Sequence, residues 1–177
     1  MSIILDRRIV EDDWVLVPAA AKDAGAPEFA VTDFSADAKL LVPLCVWQSQ
    51  RGGLIARAAE TRLPLGVWLD SHEDPAALEN DVQQLALIAV NFPRFADGRG
   101  YSTAALLRSR YGFKGELRAI GEVLRDQLFY LNRVGFNAFA IRAEKDINDA
   151  LNAFNDFSET YQASIDQPLP LFRRRAA

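Results

Sequence analysis

Leu65-Gly-Val-Trp-Leu69 and Ala86-Leu-Ile-Ala-Val90 are two short apolar runs without a charge. The segment between them carries Leu78, Val82 and Leu85 at helical spacing. Apolar strands that alternate with helices are typical of a parallel sheet covered by right-handed crossover connections. This stretch therefore predicts an α/β fold.

The alternation continues on both sides of this stretch. Further strands are predicted at Val42–Trp47, Leu117–Ile120 and Ala138–Ile141. The predicted helices run over Arg51–Thr61, from Pro75 (with Asp74 as N-cap) past Leu85, from Ser102 to about Arg110, over Glu122–Val134 and from Asp146 to about Tyr161. About five βα units fit, and a closed barrel of this type has eight. We therefore expect an open parallel sheet or a partial βα barrel.

Two other segments flank the βα region. Ile3–Val10 and Trp14–Val17, with three acidic residues between them, predict an N-terminal β-hairpin. Residues 18–37 read as an irregular connection. The C-terminal tail, whose prolines oppose regular structure, is predicted to be a loose end or an anchor through Leu169, Leu171 and Phe172. The whole chain is predicted to be one domain, with residues 1–40 holding the hairpin and connection, 41–161 the βα units and 162–177 the tail.

Composition excludes several classes of protein. The chain has 177 residues, of which 50% are hydrophobic and 25% charged, as in ordinary globular domains. No window approaches the roughly 18 apolar residues of a membrane helix, and the first residues lack the core of a signal peptide. We therefore predict a cytoplasmic protein. The single cysteine, Cys45, cannot form an internal disulfide or a cysteine-ligated cluster, and its apolar neighbours predict a buried thiol.

Charge is unevenly distributed along the chain. The formal net charge is -4, but residues 92–133 contain eight basic and four acidic residues. This segment is therefore +4 and the rest of the chain is -8. The pattern predicts a locally anion-attracting surface on an acidic protein, and it is unlike that of a general nucleic-acid binder.

The loop from Phe92 to Gly100 follows a predicted strand and precedes a helix. Its glycines allow sharp turns, its arginines offer forked donors, and the helix N-terminus adds partial positive charge. We predict a site for sulfate, phosphate or carboxylate. The candidate anion-binding residues are Arg94, Gly98, Arg99, Gly100, Ser102 and Arg118. The alternative is a surface loop in which Arg99 pairs with Asp97.

Four carboxylates are candidates for acid–base catalysis: Asp97, Glu116, Glu122 and Asp126. Glu122 and Asp126 share a helix face at a spacing of four, although a solvated, salt-bridged face has the same pattern. The lone histidine, His72, is placed in a polar loop, and no metal site is predicted. No iron-sulfur, haem or dinucleotide motif is evident, which leaves flavin as the open cofactor.

Two blocks of sequence resemble a known family. They are Asn91-Phe-Pro-Arg-Phe-Ala-Asp-Gly-Arg-Gly-Tyr-Ser-Thr-Ala-Ala-Leu-Leu-Arg108 and Gly115-Glu-Leu-Arg-Ala-Ile-Gly-Glu-Val-Leu-Arg-Asp-Gln-Leu128, and they are similar to the bacterial domain of unknown function number nine hundred and thirty-four. Members are usually encoded beside assimilatory sulfite reductase and are described as probable oxidoreductases. The resemblance implies an accessory protein of sulfite reduction, with the reductase or another redox protein and a small oxyanion as partners. The alternative is a βα-type enzyme, an oxidoreductase, acting on a small anionic substrate.

Overall fold

The fold is given by a computed structural model that describes residues 1–19 and 33–175. The predicted connection over residues 18–37 lies mostly outside the described residues. The strands are β1 (Ser2–Leu5), β2 (Arg8–Glu11), β3 (Trp14–Leu16), β4 (Lys39–Pro43), β5 (Gly66–Leu69), β6 (Leu87–Phe92), β7 (Glu116–Gly121) and β8 (Ala138–Phe139). The α-helices are α1 (Leu44–Thr61), α2 (Arg99–Ser109), α3 (Leu128–Arg133), α4 (Ile147–Asn152) and α5 (Leu171–Arg174). None of these described helices has the length and apolar character needed to cross a membrane.

The described strands form one mixed sheet in the order β2-β1-β8-β7-β6-β5-β4-β3. From β3 to β8 the strands lie side by side in chain order and are parallel. β1 runs in the direction opposite to the other strands and is antiparallel to both of its neighbours, β2 and β8. The predicted α/β class and open sheet are confirmed, but the sheet is mostly rather than entirely parallel.

The two faces of the sheet are covered differently. One face packs against the helices, and its strand residues share the main core with Leu54 of α1, Leu107 of α2 and Leu131 of α3. The opposite, inner face has a small cluster of its own. The inner cluster consists of Leu41, Leu87, Ala89 and Ile120, with Trp14, Trp68 and Ala140 packed against it. Helices on one side of a sheet with sequential parallel strands are the arrangement of a βα barrel, and here they cover an incomplete one.

The two edges of the sheet lie close together in space. β2 forms one edge and β3 the other, yet only Asp12 and Asp13 separate the end of β2 from the start of β3. Three Cα steps span at most ~11 Å. The sheet is therefore strongly curled, and the inner face is enclosed on several sides.

An N-terminal hairpin is present as predicted, but its two strands are not the predicted ones. Its arms are Ser2–Leu5 and Arg8–Glu11, joined at Asp6 and Arg7, both of which have positive φ. Trp14–Leu16 pairs instead with β4 at the far edge of the sheet. Apolar alternation predicts that a segment is a strand, but it carries no information on the partner strand.

The region around Cys45 also differs from expectation. The predicted strand Val42–Trp47 is wrong at its C-terminal half, because β4 ends at Pro43 and α1 begins at Leu44. Leu44, Val46 and Trp47 of this run belong to the buried face of α1, whereas Cys45 is exposed, so the prediction of a buried thiol is wrong. A short apolar run fits a strand and a buried helix face equally well.

Five βα units are not present, because no α-helix joins β5 to β6. Asp74 caps Pro75–Leu78 as predicted, with its side chain accepting from the N–H of Ala76, but this turn and Val82–Gln84 are 3-10 turns. Asp81, between them, accepts from Nε1 of Trp47 at 3.0 Å. This buried hydrogen bond to α1 fixes the position of Asp81 between the two 3-10 turns.

The last predicted helix is shorter than expected, and the C-terminal tail contains a short helix. α4 ends at Asn152 and is followed by a 3-10 turn, so the predicted helix to Tyr161 is wrong. In the tail, Leu171 begins a four-residue helix, and its N–H donates to the carbonyl of Tyr161 at 2.9 Å. Leu169 and Phe172 are exposed. Arg133 of α3 holds the tail to the body of the protein instead, since it pairs with Asp166 at 3.4 Å and its carbonyl accepts from Oγ of Ser164 at 2.8 Å.

Candidate functional site

The inner face of the sheet carries a buried arginine. Arg118 lies in β7, and only 3% of its side chain is exposed. Its Nε donates to Oε1 of Glu116 at 2.7 Å, and its Nη1 lies 3.0 Å from both carboxylate oxygens of Asp12. Asp12 belongs to the short link between the two sheet edges. One ion-pair cluster therefore ties this link to the interior of the sheet.

A cavity of about 480 Å³ lies beside this cluster. Trp14, Leu41, Ile120 and Ala140 provide apolar walls, and Asp12 and Arg118 provide polar groups. Gly121 ends β7 and Arg142 follows β8, so the lining extends to the carboxyl ends of these two strands. Residues 93–100 are not part of the lining. The structure thus separates Arg118 from the other predicted anion-binding residues.

Burial raises the pKa of Glu116 above its ordinary value of 4.5, and the charge and hydrogen bonds of Arg118 oppose this rise only in part. The folded protein therefore holds a proton on Glu116 more tightly than the unfolded chain does. It follows that the free energy of unfolding falls as the pH rises from about 4.5 through the raised pKa.

Replacing Glu116 with glutamine is expected to remove this decline. The variant should gain stability relative to the parent protein as the pH rises through the raised pKa of Glu116, because it has no proton to lose there. Urea unfolding of both proteins at several pH values from 4 to 8 measures the effect. Stability curves that stay parallel over this range would contradict the assignment.

Asp97 serves as a control, because its pKa is shifted in the opposite direction from that of Glu116. The Arg99 guanidinium holds the pKa of Asp97 well below its ordinary value of 3.8. Its contribution to stability is therefore present above pH 3.8 and is lost as the pH falls through the lowered pKa. In the variant Asp97→Asn, stability should be lost at neutral pH rather than gained.

The loop between β6 and α2 is organised around Asp97 and Arg99. Nη2 and Nε of Arg99 donate to the two carboxylate oxygens of Asp97 at 2.6 and 2.9 Å, and Nη2 also lies 2.9 Å from Oγ of Ser71. This is the pairing that the surface-loop interpretation predicts. An anion bound by Arg99 has to compete with the carboxylate of Asp97.

A hydrogen-bonded network joins the carboxyl ends of β5 and β6. Asp70 accepts from Nδ2 of Asn91 at 3.0 Å and from the N–H of Ser71 at 2.8 Å, and its other oxygen lies 3.1 Å from Nδ1 of His72. Ser71 continues the network to Arg99. Within the described residues, no group of three or more His, Cys, Asp or Glu side chains is placed to hold a metal ion.

The glycines and the helix cap of this loop act differently from expectation. Gly98 has an ordinary φ of -85°, and Gly100 lies inside α2, where an added Cβ would be 2.6 Å from the ring of Phe92. Gly100 thus permits close packing rather than a sharp turn. Asp97 accepts from the N–H of Arg99 at the start of α2, which begins three residues before the predicted start at Ser102, and Ser102 is an exposed residue of the first turn.

The arginines of residues 92–133 do not share one surface. Arg125 lies 2.9 Å from Asp156, and Arg133 lies 3.4 Å from Asp166. Arg108 donates to three backbone carbonyls between residues 113 and 135. Several of the acidic partners come from outside the segment, which explains the uneven charge along the sequence. Part of the excess of positive charge is therefore balanced in space by acidic residues that are distant in sequence.

The four candidate catalytic carboxylates also lie in different places. Glu116 opens β7 and Glu122 follows its end, which separates them by roughly 20 Å at 3.3 Å per residue. Glu122 accepts from Nη1 of Arg142 at 2.6 Å, and Asp97 pairs with Arg99. Asp126 is exposed. Glu116 therefore does not form an acid–base pair with Glu122.

Two residues of these networks had no signal in the sequence that singled them out. Asp12 reads as part of a hairpin turn, and its bond to Arg118 links positions more than a hundred residues apart. Ser71 reads as a loop residue.

Comparison with known proteins supports the likeness noted in the sequence. No curated protein shows a significant match to the chain. A family model matches residues 66–172, which is more than half of the 177 residues and includes β5 to β8, the loop before α2 and Arg118. The chain therefore belongs to the family described as bacterial protein of unknown function (DUF934).

Proposed function

We propose that this protein is an accessory component of assimilatory sulfite reduction that docks on the reductase through the loop between β6 and α2. The pathway comes from the family resemblance. The docking loop comes from one observation: Arg94 and Phe95 are exposed side by side on a loop whose backbone is held in place.

Two hydrogen bonds fix the backbone of the loop at Arg94 and Phe95. The carbonyl of Arg94 accepts from the N–H of Asp97 at 3.0 Å, and the carbonyl of Phe95 accepts from Nε2 of the buried Gln127 at 3.2 Å. The loop therefore presents its side chains in a fixed position, which reduces the entropy lost on binding.

The side chains themselves suit a protein partner. Phe95 is 50% exposed, and among the described residues the guanidinium of Arg94 has no hydrogen bond or ion pair. Arginine and aromatic side chains dominate the binding energy of protein interfaces. A partner surface with an acidic group beside an apolar pocket fits this pair. Docking is favoured over capture of a free oxyanion, because Asp97 already occupies Arg99.

The test is binding of the full chain to purified sulfite reductase, measured by calorimetry at low and at high salt. Phe95→Ala is expected to raise Kd by at least about tenfold, since truncation of a central aromatic anchor costs about 2 kcal/mol. Arg94→Ala is expected to weaken binding and to reduce its dependence on salt.

Lys114→Ala is the matched control. Lys114 is an exposed cation that precedes the amino end of β7, whereas the loop follows the carboxyl end of the neighbouring parallel strand β6. It should leave Kd unchanged. The proposal fails if the reductase does not bind at all, or if Lys114→Ala weakens binding as much as Arg94→Ala does.

A further inference from the structure

The cavity on the inner face is distinct from the docking loop, and the geometry points to it as a binding site for an uncharged, planar heteroaromatic compound that carries a ring amide. Its volume of about 480 Å³ is that of a site for a small molecule.

The walls of the cavity suit a flat ring. Trp14 comes from β3 at one edge of the curled sheet, and Ile120 and Ala140 come from β7 and beyond the end of β8 near the other edge. The indole of Trp14 packs on the backbone of Gly66, where an added Cβ would lie 2.9 Å from Cζ3. A tryptophan fixed in this way offers a rigid face on which an aromatic ring can stack.

The polar groups of the cavity offer a donor next to an acceptor. Arg118 has five N–H groups, and its contacts with Glu116 and Asp12 leave a second N–H on Nη2 without a described partner. The Asp12 carboxylate accepts from Arg118 and from the N–H of Trp14, which leaves lone pairs for another donor. A ring amide presents a carbonyl and an N–H side by side and matches both groups.

Charge selects against an anionic ligand. The cations of the lining are the N-terminal amine of Met1, Arg118 and Arg142. Each of them already faces at least one carboxylate, namely Glu11 for Met1, Asp12 and Glu116 for Arg118, and Glu122 and Glu144 for Arg142. Of these carboxylates, Asp12 itself lines the cavity, and the others neutralise the lining cations from outside it. A ligand with its own negative charge would have to displace one of these carboxylates from its cation.

The probe for this site is lumichrome, an uncharged three-ring compound with ring amides, titrated into the full chain and followed by its fluorescence. Ala140→Leu places a larger side chain in the cavity wall and is expected to raise Kd at least tenfold. Leu16→Ala, at a half-exposed lining position where loss of folding is not expected, should raise Kd about threefold. Ala77→Leu, on an exposed turn outside the lining, should bind as the parent protein does.

A competition experiment tests the selection against anions. The anion 2-naphthoate has a flat apolar ring system and a carboxylate but no ring amide, and it is expected not to displace lumichrome. The inference is overturned if lumichrome does not bind, if Ala140→Leu and Leu16→Ala bind it as well as Ala77→Leu does, or if 2-naphthoate displaces it.

Discussion

Replacing Arg118 with methionine is expected to lower the free energy of unfolding by about 3–5 kcal/mol, the usual effect of removing one partner from a buried ion pair. For a chain of this length, this corresponds to a fall in Tm of roughly 6–20 °C. The substitution leaves the carboxylates of Asp12 and Glu116, whose side chains are 16% and 17% exposed, without their cation. It also releases the link between the two edges of the sheet. Thermal and urea unfolding measure both quantities.

Two further variants separate loss of the ion pair from loss of packing. The triple variant Asp12→Asn, Glu116→Gln, Arg118→Met has no buried charge and should recover most of the lost stability. Arg94→Ala removes an exposed arginine that makes no ion pair within the described residues and should change the free energy of unfolding by at most about 0.5 kcal/mol. A loss below about 1 kcal/mol for Arg118→Met would show that the cluster does not hold the sheet together.

The parts of the fold that follow from local patterns were predictable from the sequence. The uncharged runs in β5 and β6 identify buried parallel strands, and the Asp74-Pro75 pair identifies an N-cap, although the helix predicted after it is only a 3-10 turn. The strand register and the edge partner of Trp14 were not predictable. They depend on contacts between distant residues, such as the bond from Arg118 to Asp12. Periodicity describes one segment at a time and cannot supply such contacts.

The candidate site shows the same limit. The loop before α2 could be located because its glycines and arginines follow a recognisable strand. The sequence could not decide between an anion site and an Arg99–Asp97 pair, because the second partner of Arg99, Ser71, comes close only in the folded chain. The excess of positive charge over residues 92–133 predicts one anion-attracting surface, whereas Arg118 is buried on the inner face and Arg125 pairs with Asp156. Charge counted along a sequence does not show which residues share a surface.

Gly121→Ala is expected to lower the free energy of unfolding by about 2–4 kcal/mol, because it adds backbone strain to a steric clash. Gly121 ends β7 with φ of +90°, a conformation that side chains rarely adopt. An added Cβ would lie 2.5 Å from the carbonyl oxygen of Phe92 and 2.5 Å from Oδ1 of Asn91. The backbone atom cannot move without disturbing β6, and Asn91 holds Asp70. The variant should therefore also loosen the network at the carboxyl ends of β5 and β6.

Two other glycines of the chain allow the strain and the clash to be measured separately. Gly98 has φ of -85° and no atom within 4 Å of an added Cβ, so Gly98→Ala should be neutral or slightly stabilising. Gly112 has φ of +67° in equally open space, so Gly112→Ala should reveal strain alone, about 1–2 kcal/mol. The clash at Gly121 is the difference between Gly121→Ala and Gly112→Ala in urea unfolding. Equal losses for these two variants would mean that β6 and β7 can move apart at this end, and that the network around Asn91 is less rigid than its hydrogen bonds indicate.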